Sequence, residues 1–481
     1  MWFLLIQDFY ISYIATRLFL IKENIMDLKQ YLENPDKEKL IDDVFSEIKK
    51  IQKDYEPFIT ISEEKAREEF MKKIKDEKFV GIPISVKDNI CTKGIRTTAG
   101  SKILENYIPP FDATVISKIK EVGYIIGKTK MDEFGFGSFC LNCAYGIPKN
   151  PLDVERSCGG SSGGAGCLTA ALNLPHIAIA ESTGGSISCP ASFCGVVGLT
   201  PTYGLVSRYG LIDYASSLDK IGLIGKSVFE VAYGLTKIAG QDKKDSTSIN
   251  KNLEDYTSYL KKDISKFRVG VPIEYFEFVD EEIKKEVWRA IKKLESEGIK
   301  YEEISLPSTK FALPSYYIIA MSEASTNLAR YCGIRYGKTK ELKGNYNEFF
   351  SEIRGEYFGE EAKRRILMGT FYRKSGYRDK YYLKALKVRK HIINEFKEKF
   401  KKFDCILAPT MPIIAPKFTD IAMLSPAQQY AMDILTVAPN LCGFPHLSIK
   451  CGTLEGMPIG LQIISDHLQE GKVLQLGSWL E

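Results

Sequence analysis

The chain of 481 residues is 44% hydrophobic and carries 66 basic against 61 acidic side chains, a net charge of +5. This apolar content supplies a large core and excludes a disordered chain, while the even charge balance offers no electrostatic footprint for nucleic acid. Eleven cysteines, an odd number without regular spacing, exclude a secreted disulfide scaffold and fit a reducing cytoplasm.

Residues 1–25 are apolar and aromatic but interrupted by Asp8, Arg17 and Lys22, which denies them an unbroken membrane-spanning run. They also lack the basic start and small-residue cleavage site of a secretory signal. They read as an extension or a mis-assigned start, with translation expected to begin at Met26. An intact mass that includes Trp2 would refute this. Residues 26–78 are charged, with Leu40, Val44, Ile48 and Ile51 at helical spacing, and read as a helical preamble.

The pattern changes at Phe79. An apolar, strand-like run from Phe79 to Val86 is followed by a helix carrying Val115, Ile116, Ile119 and Val122, which Asp112 is expected to cap, and then by the short strand Tyr124-Ile125-Ile126. Glycine and serine crowd residues 158–210. Beyond them the alternation resumes with a strand at 268–271, a helix at 280–297 and a strand at 301–306. Residues 323–400 are charged and mostly helical, and apolar runs return at 405–408, 447–451 and 459–464. This alternation predicts an α/β fold with a large mixed sheet covered by helices on both faces. No repeat or linker divides residues 79–481, which read as a single domain.

Three segments carry chemistry. Lys87 ends an apolar strand, where its ammonium is drawn out of water; the others are the loop Gly159-Gly160-Ser161-Ser162-Gly163-Gly164 and the segment Ser182-Thr183-Gly184-Gly185-Ser186. A serine hydroxyl attacks only when a base takes its proton, and lysine serves as that base only when neutral, the form burial favours. Small residues around Ser186 let a carbonyl approach. The consecutive backbone N–H groups of Thr183, Gly184 and Gly185 suit an oxyanion hole. The four histidines, His176, His391, His446 and His467, lie outside both Gly/Ser motifs, and His176 reads as a core or surface histidine beside a strand.

Competing motifs are weaker. Gly159 to Gly163 also fits the G-x-S-x-G nucleophile elbow, but the polar, proline-bearing residues 150–156 do not read as the strand that elbow requires. Gly127-Lys128-Thr129 resembles the end of a phosphate loop, yet only three residues separate Gly123 from Gly127, so no ATP site is expected here. Cys140 and Cys143 form a lone C-x-x-C without the second pair a zinc site needs.

Taken together, the lysine strand, the GGSSGG loop, the Thr183-Gly184-Gly185-Ser186-Ile187 segment and the tail Pro190-Ala191-Ser192-Phe193-Cys194-Gly195 resemble the amidase signature family. The resemblance implies a Ser–cis-Ser–Lys triad with Ser186 as nucleophile, Ser161 as cis-serine (Ser162 being the alternative) and Lys87 as base. Within the family the chain is most similar to the glutamine-hydrolysing subunits of tRNA-dependent amidotransferases, through Lys87 to Gly94, Pro201 to Gly210, Ala215 to Asp219, Glu323 to Arg330 and Lys363 to Ile366. This implies glutamine as ammonia source and misacylated Glu-tRNA(Gln) or Asp-tRNA(Asn) as acceptor. It also implies the amidotransferase B and C subunits as partners, with ATP and Mg bound at the partner and no cofactor, metal or membrane contact on this chain. Tyr317, Arg365 (or its neighbour Arg364) and Asp433 match the family's glutamine pocket, a guanidinium for the α-carboxylate and a carboxylate for the α-amine. A stand-alone amidase acting on other carboxamides is the alternative. The sequence departs from the family's Asp-Thr-Gly-Gly-Ser-Ile-Arg at Ser182 and Ser188, which suggests that a paired interaction has been replaced.

Overall fold

The computed structural model describes residues 27–33, 37–76 and 78–481; the expected extension of residues 1–25 and start at Met26 lie outside them. An eleven-stranded mixed sheet organises the chain. Its strands are β1 (Phe58–Ile61), β2 (Ile82–Lys87), β3 (Gly123–Thr129), β6 (Ile177–Ser182), β7 (Val197–Thr200), β8 (Lys220–Gly225), β9 (Arg268–Pro272), β10 (Lys300–Ile304), β11 (Cys405–Pro409), β12 (His446–Leu454) and β13 (Met457–Ser465). The remaining two, β4 (Lys149–Asn150) and β5 (Asp153–Ser157), form a separate hairpin. The order across the sheet is β1-β3-β2-β6-β8-β7-β12-β13-β11-β9-β10. β3, β2 and β6 are mutually parallel, as are β11, β9 and β10, and antiparallel strands join the two groups.

Alternation along the central strands explains why both faces are dry. In β3, Ile125 enters one apolar cluster with Val115, Ile116 and Ile119 of helix Thr114–Ile119 and with Val231 and Leu235 of helix Val228–Ile238. Its neighbours Tyr124 and Ile126 enter the opposite cluster, with Val44, Phe45 and Ile48 of helix Lys37–Tyr55, Phe70 of helix Glu63–Lys73 and Leu168 of helix Gly163–Ala171. β6 divides likewise, Ile177 and Ile179 to the first face and Ala178 and Ala180 to a third cluster beneath helix Ser188–Cys194. Strands buried on both faces read as continuous apolar runs, which is why their sequences lack a clean period of two.

Three local expectations need correcting. The preamble is not wholly helical, because Phe58–Ile61 joins the sheet edge antiparallel to β3. Asp112 does not cap the following helix. The N-cap is Ala113, without a side-chain bond, while Asp112 accepts from the Lys93 N–H at 2.7 Å and the Lys120 ammonium at 3.1 Å. The polar residues before Gly159 do form a strand, β5, but in the small hairpin outside the main sheet. No helix among the described residues is long and apolar enough to cross a membrane.

Candidate active site

β2 and β6 are parallel neighbours, so their carboxyl ends reach the same sheet edge. That edge is where irregular loops can gather functional groups on a rigid base. Lys87 closes β2 and is fully buried. Its ammonium donates to Ser161 Oγ at 2.8 Å, to the Glu181 carbonyl at 2.9 Å and to Glu181 Oε2 at 2.9 Å. Those three acceptors match the three donors of a lysine ammonium.

The loop between β5 and helix Gly163–Ala171 brings in the two serines. The Gly160–Ser161 peptide bond is cis. Ser161 Oγ meets Lys87, whereas Ser162 Oγ turns away to donate to the Glu181 carbonyl at 3.2 Å. Backbone contacts fasten this loop on both sides. Gly160 N–H donates to the Ser138 carbonyl at 2.8 Å, and Asp132 N–H donates to the Ser161 carbonyl at 3.1 Å. The Asp132 carboxylate accepts the Cys140 and Asn142 N–H groups at 2.9 Å each, and burial pushes its pKa up to about 6.

Residues 183–187 turn sharply between β6 and helix Ser188–Cys194. Ser186 sits in this turn, 6% exposed, and its hydroxyl makes no hydrogen bond among the described residues. A Cβ on Gly185 would stand 2.5 Å from Thr436 Oγ1, so only glycine lets the turn pass so close to its neighbour. No described acceptor takes up the Gly184 and Gly185 N–H groups, which leaves both available to an incoming oxygen. Thr183 Oγ1 lies 2.8 Å from both Glu181 Oε1 and Asp219 Oδ1.

The three pocket residues named from sequence also come together. Tyr317, on helix Ala312–Asn327, donates its hydroxyl to Asp433 at 2.6 Å, and Ser138 donates to the other carboxylate oxygen at 2.8 Å. Arg365, on helix Glu360–Arg373, is buried with its guanidinium over the rings of Phe136, Tyr214, Tyr317 and Tyr430, at 5.2 to 5.7 Å. It donates to Glu361 at 2.7 Å and to the Tyr214 hydroxyl at 2.7 Å. Burial works against that charge, and the surrounding tyrosines and Glu361 more than offset it. Arg364, the alternative, is half exposed and pairs outward with Glu361. Burial raises the Asp433 pKa against the opposing pull of Tyr317, Ser138 and Arg365. Ser138 links this cluster to the loop, since its hydroxyl holds Asp433 and its carbonyl holds Gly160.

Glu181 was not singled out from sequence, although its signal equals that of Lys87, a charge ending an apolar strand. Ser182 and Ser188 do not meet each other. Ser182 donates to Asn440 at 3.2 Å, and Ser188 Oγ is buried without a partner. Lys128 lies inside β3, its ammonium donating to the Ile90 carbonyl and the Thr92 and Thr97 hydroxyls. Its position in a strand gives no phosphate loop. Cys140 is buried and Cys143 partly so; among the described residues no group of three or more potential ligands could hold a metal. His176 is a core residue bonded to Ser85 at 2.9 Å and Thr169 at 3.2 Å.

The mixed sheet that gathers Lys87 and both serine-bearing segments at one strand edge has the fold of the amidase class. The Amidase family model matches residues 39–474, and the chain belongs to that family. It is 46% identical over 447 residues to the A subunit of glutamyl-tRNA(Gln) amidotransferase from Halothermothrix orenii, covering 92% of this chain and 93% of that one. The Bacillus pumilus protein of the same name is 45% identical, with 96% and 97% covered. Among solved structures, the A subunit of glutamyl-tRNA(Gln) amidotransferase from Thermotoga maritima is similar with a TM-score of 0.79 at 37% identity, covering 94% of this chain and 93% of that one.

Proposed function

We propose that this chain hydrolyses glutamine as the ammonia-supplying subunit of a tRNA-dependent amidotransferase. The observation that carries the reading is the buried Lys87–Ser161 hydrogen bond of 2.8 Å beside the Thr183–Ser186 turn. In this reading Ser186 attacks the side-chain amide of glutamine while Ser161 passes the hydroxyl proton toward Lys87. The oxyanion forms against the Thr183, Gly184 and Gly185 N–H groups. Ammonia leaves, and water hydrolyses the glutamyl ester.

The pocket chemistry agrees. A caged guanidinium at Arg365 suits the α-carboxylate, and Asp433, held by Tyr317 and Ser138, suits the α-amine. Burial alone raises the cost of the Asp433 charge, so a substrate ammonium relieves it. The near-full-length likeness to the amidotransferase relatives supports a tRNA-linked acceptor, Glu-tRNA(Gln) or Asp-tRNA(Asn), handled with the B and C subunits as partners. ATP and Mg belong to the partner in this scheme. Eleven free cysteines suit a cytoplasmic setting.

The test compares wild type with Ser186→Ala, each co-expressed with candidate partner subunits, using glutamine or ammonium as nitrogen donor. Loss of tRNA amidation with glutamine but not with ammonium is expected. A wild-type protein that hydrolyses amides yet supports no tRNA amidation from either donor would make it a stand-alone amidase.

A further inference from the structure

Lys87 does not face Ser161 alone. Glu181, 1% exposed, accepts from the Lys87 ammonium through Oε2, from the Asn89 side-chain amide at 3.1 Å and from Thr183 Oγ1 at 2.8 Å. The lysine's three N–H donors are all engaged in this arrangement, so its nitrogen presents no lone pair to Ser161 until one proton leaves it. Of the three acceptors the carboxylate, bonded at 2.9 Å, is the basic one and takes that proton.

The other charges around Glu181 are few. Asp219, which precedes β8, reaches it through Thr183 Oγ1. One hydroxyl carries one proton, so with Thr183 donating to Glu181, a proton on the Asp219 carboxyl completes the chain. Burial and the Glu181 charge push Asp219 well up, in agreement. Lys220 of β8 spends its ammonium on the Leu218 and Asn440 carbonyls, and Asp132 faces the Cys140 and Asn142 N–H groups. Glu181 is thus the carboxylate that balances Lys87.

We infer that Glu181 is a positioning and proton-storing partner of Lys87, so that the base of this site is a lysine–glutamate pair rather than a lone neutral lysine. The inference rests on the glutaminase reading above. At rest the pair is an ammonium and a carboxylate joined by a hydrogen bond of 2.9 Å. On attack, the Ser186 Oγ–carbon bond forms and the carbonyl π pair moves to oxygen. The Ser186 proton passes to Ser161, the Ser161 proton to Lys87, and one Lys87 proton to Glu181 Oε2, leaving ammonium and carboxylic acid. When the carbon–nitrogen bond breaks, the same path returns one proton to the leaving nitrogen as ammonia departs, and the pair regains its resting state.

The consequence is a pH range. The pair is competent wherever it holds one proton, so activity persists below the pH at which a lone lysine would lose its lone pair. Replacing Glu181 with a neutral side chain requires Lys87 to be deprotonated beforehand, which moves the acid limb upward.

The experiment measures glutaminase kcat/KM against pH for the assembled complex carrying wild type, Glu181→Gln, Glu181→Ser or Glu181→Asp, with Ser186→Ala and Lys87→Met alongside. Both neutral variants are expected to shift the acid limb up by about one pH unit or more while recovering activity at high pH. The Asp variant should keep the wild-type limb at a lower plateau. Superimposable limbs, a uniform loss at every pH, or failure of both neutral variants to fold would overturn the inference. Survival of activity in Ser186→Ala and Lys87→Met would instead overturn the underlying reading.

Discussion

At the scale of single residues, the two adjacent hydroxyls of the Gly/Ser loop are separated by direction. Ser161 Oγ lies 2.8 Å from the Lys87 ammonium, and Ser162 Oγ is spent on the Glu181 carbonyl. A relay residue moves a proton in the transition state, so its loss lowers kcat by roughly 100- to 10,000-fold, whereas loss of a supporting bond costs about 1 kcal/mol. Ser161→Ala is therefore expected to lower glutaminase kcat at least roughly 100-fold with little change in KM, and Ser162→Ala about tenfold or less. Steady-state kinetics of the two variants decides it; equal losses would remove the distinction. The serine motifs and Lys87 were legible because they combine residue types that solvated loops do not need together. Glu181 was not, since nothing in a linear sequence says that the acid one residue before the end of β6 and the lysine ending β2 lie side by side. That fact depends on the parallel pairing of the two strands.

At the scale of elements, helix Glu360–Arg373 delivers Arg365, and its entry is tied down by a buried acid. Glu133, 3% exposed, accepts the Gly359 N–H at 2.9 Å and the Ser101 hydroxyl at 2.5 Å. Burial pushes its pKa up to about 7 from the ordinary 4.5. Because the folded value lies above the unfolded one, the native state holds this proton more tightly. Its contribution to stability is fully present below pH 4.5 and is lost as pH rises through 7. The span corresponds to about 3 kcal/mol for a shift of this size. Glu133→Gln removes that titration, so the variant should gain on wild type by up to that amount between about pH 4.5 and 8. Urea denaturation of both proteins across this range measures it, and parallel stability profiles would refute it. Elements with strong periodicity were legible in the sequence, helix Glu281–Ser296, expected at 280–297, among them. Those decided by distant partners were not. Phe58–Ile61 is four residues that become a strand only by pairing with β3, and Asp112 gives up its capping role to bind Lys93 and Lys120.

At the scale of the whole molecule, the alternating pattern announced an α/β fold, but the strand order did not follow from it, since β7 pairs with β12 and β11 with β9 across more than a hundred residues. Such a sheet closes around its core in long-range contacts, and its thiols can report whether it opens as one unit. All eleven cysteines are free; eight are buried, and Cys143, Cys332 and Cys451 are partly exposed. Burial pushes Cys143 up to about 11 and Cys451 up to about 12. The thiolate is the reactive form, so at about pH 8 these two present roughly one part in a thousand and one in ten thousand of it. Iodoacetamide should therefore modify Cys332 first and nearly alone in the native protein, the remaining ten cysteines reacting only after unfolding. Peptide mass mapping against time and urea concentration tests this. Labelling of Cys158, Cys167 and Cys194 should rise together at the urea concentration where far-UV circular dichroism is lost. Their modification in advance of that loss would show that the layer beneath helix Ser188–Cys194, which shapes the Ser186 turn, opens independently of the rest of the sheet.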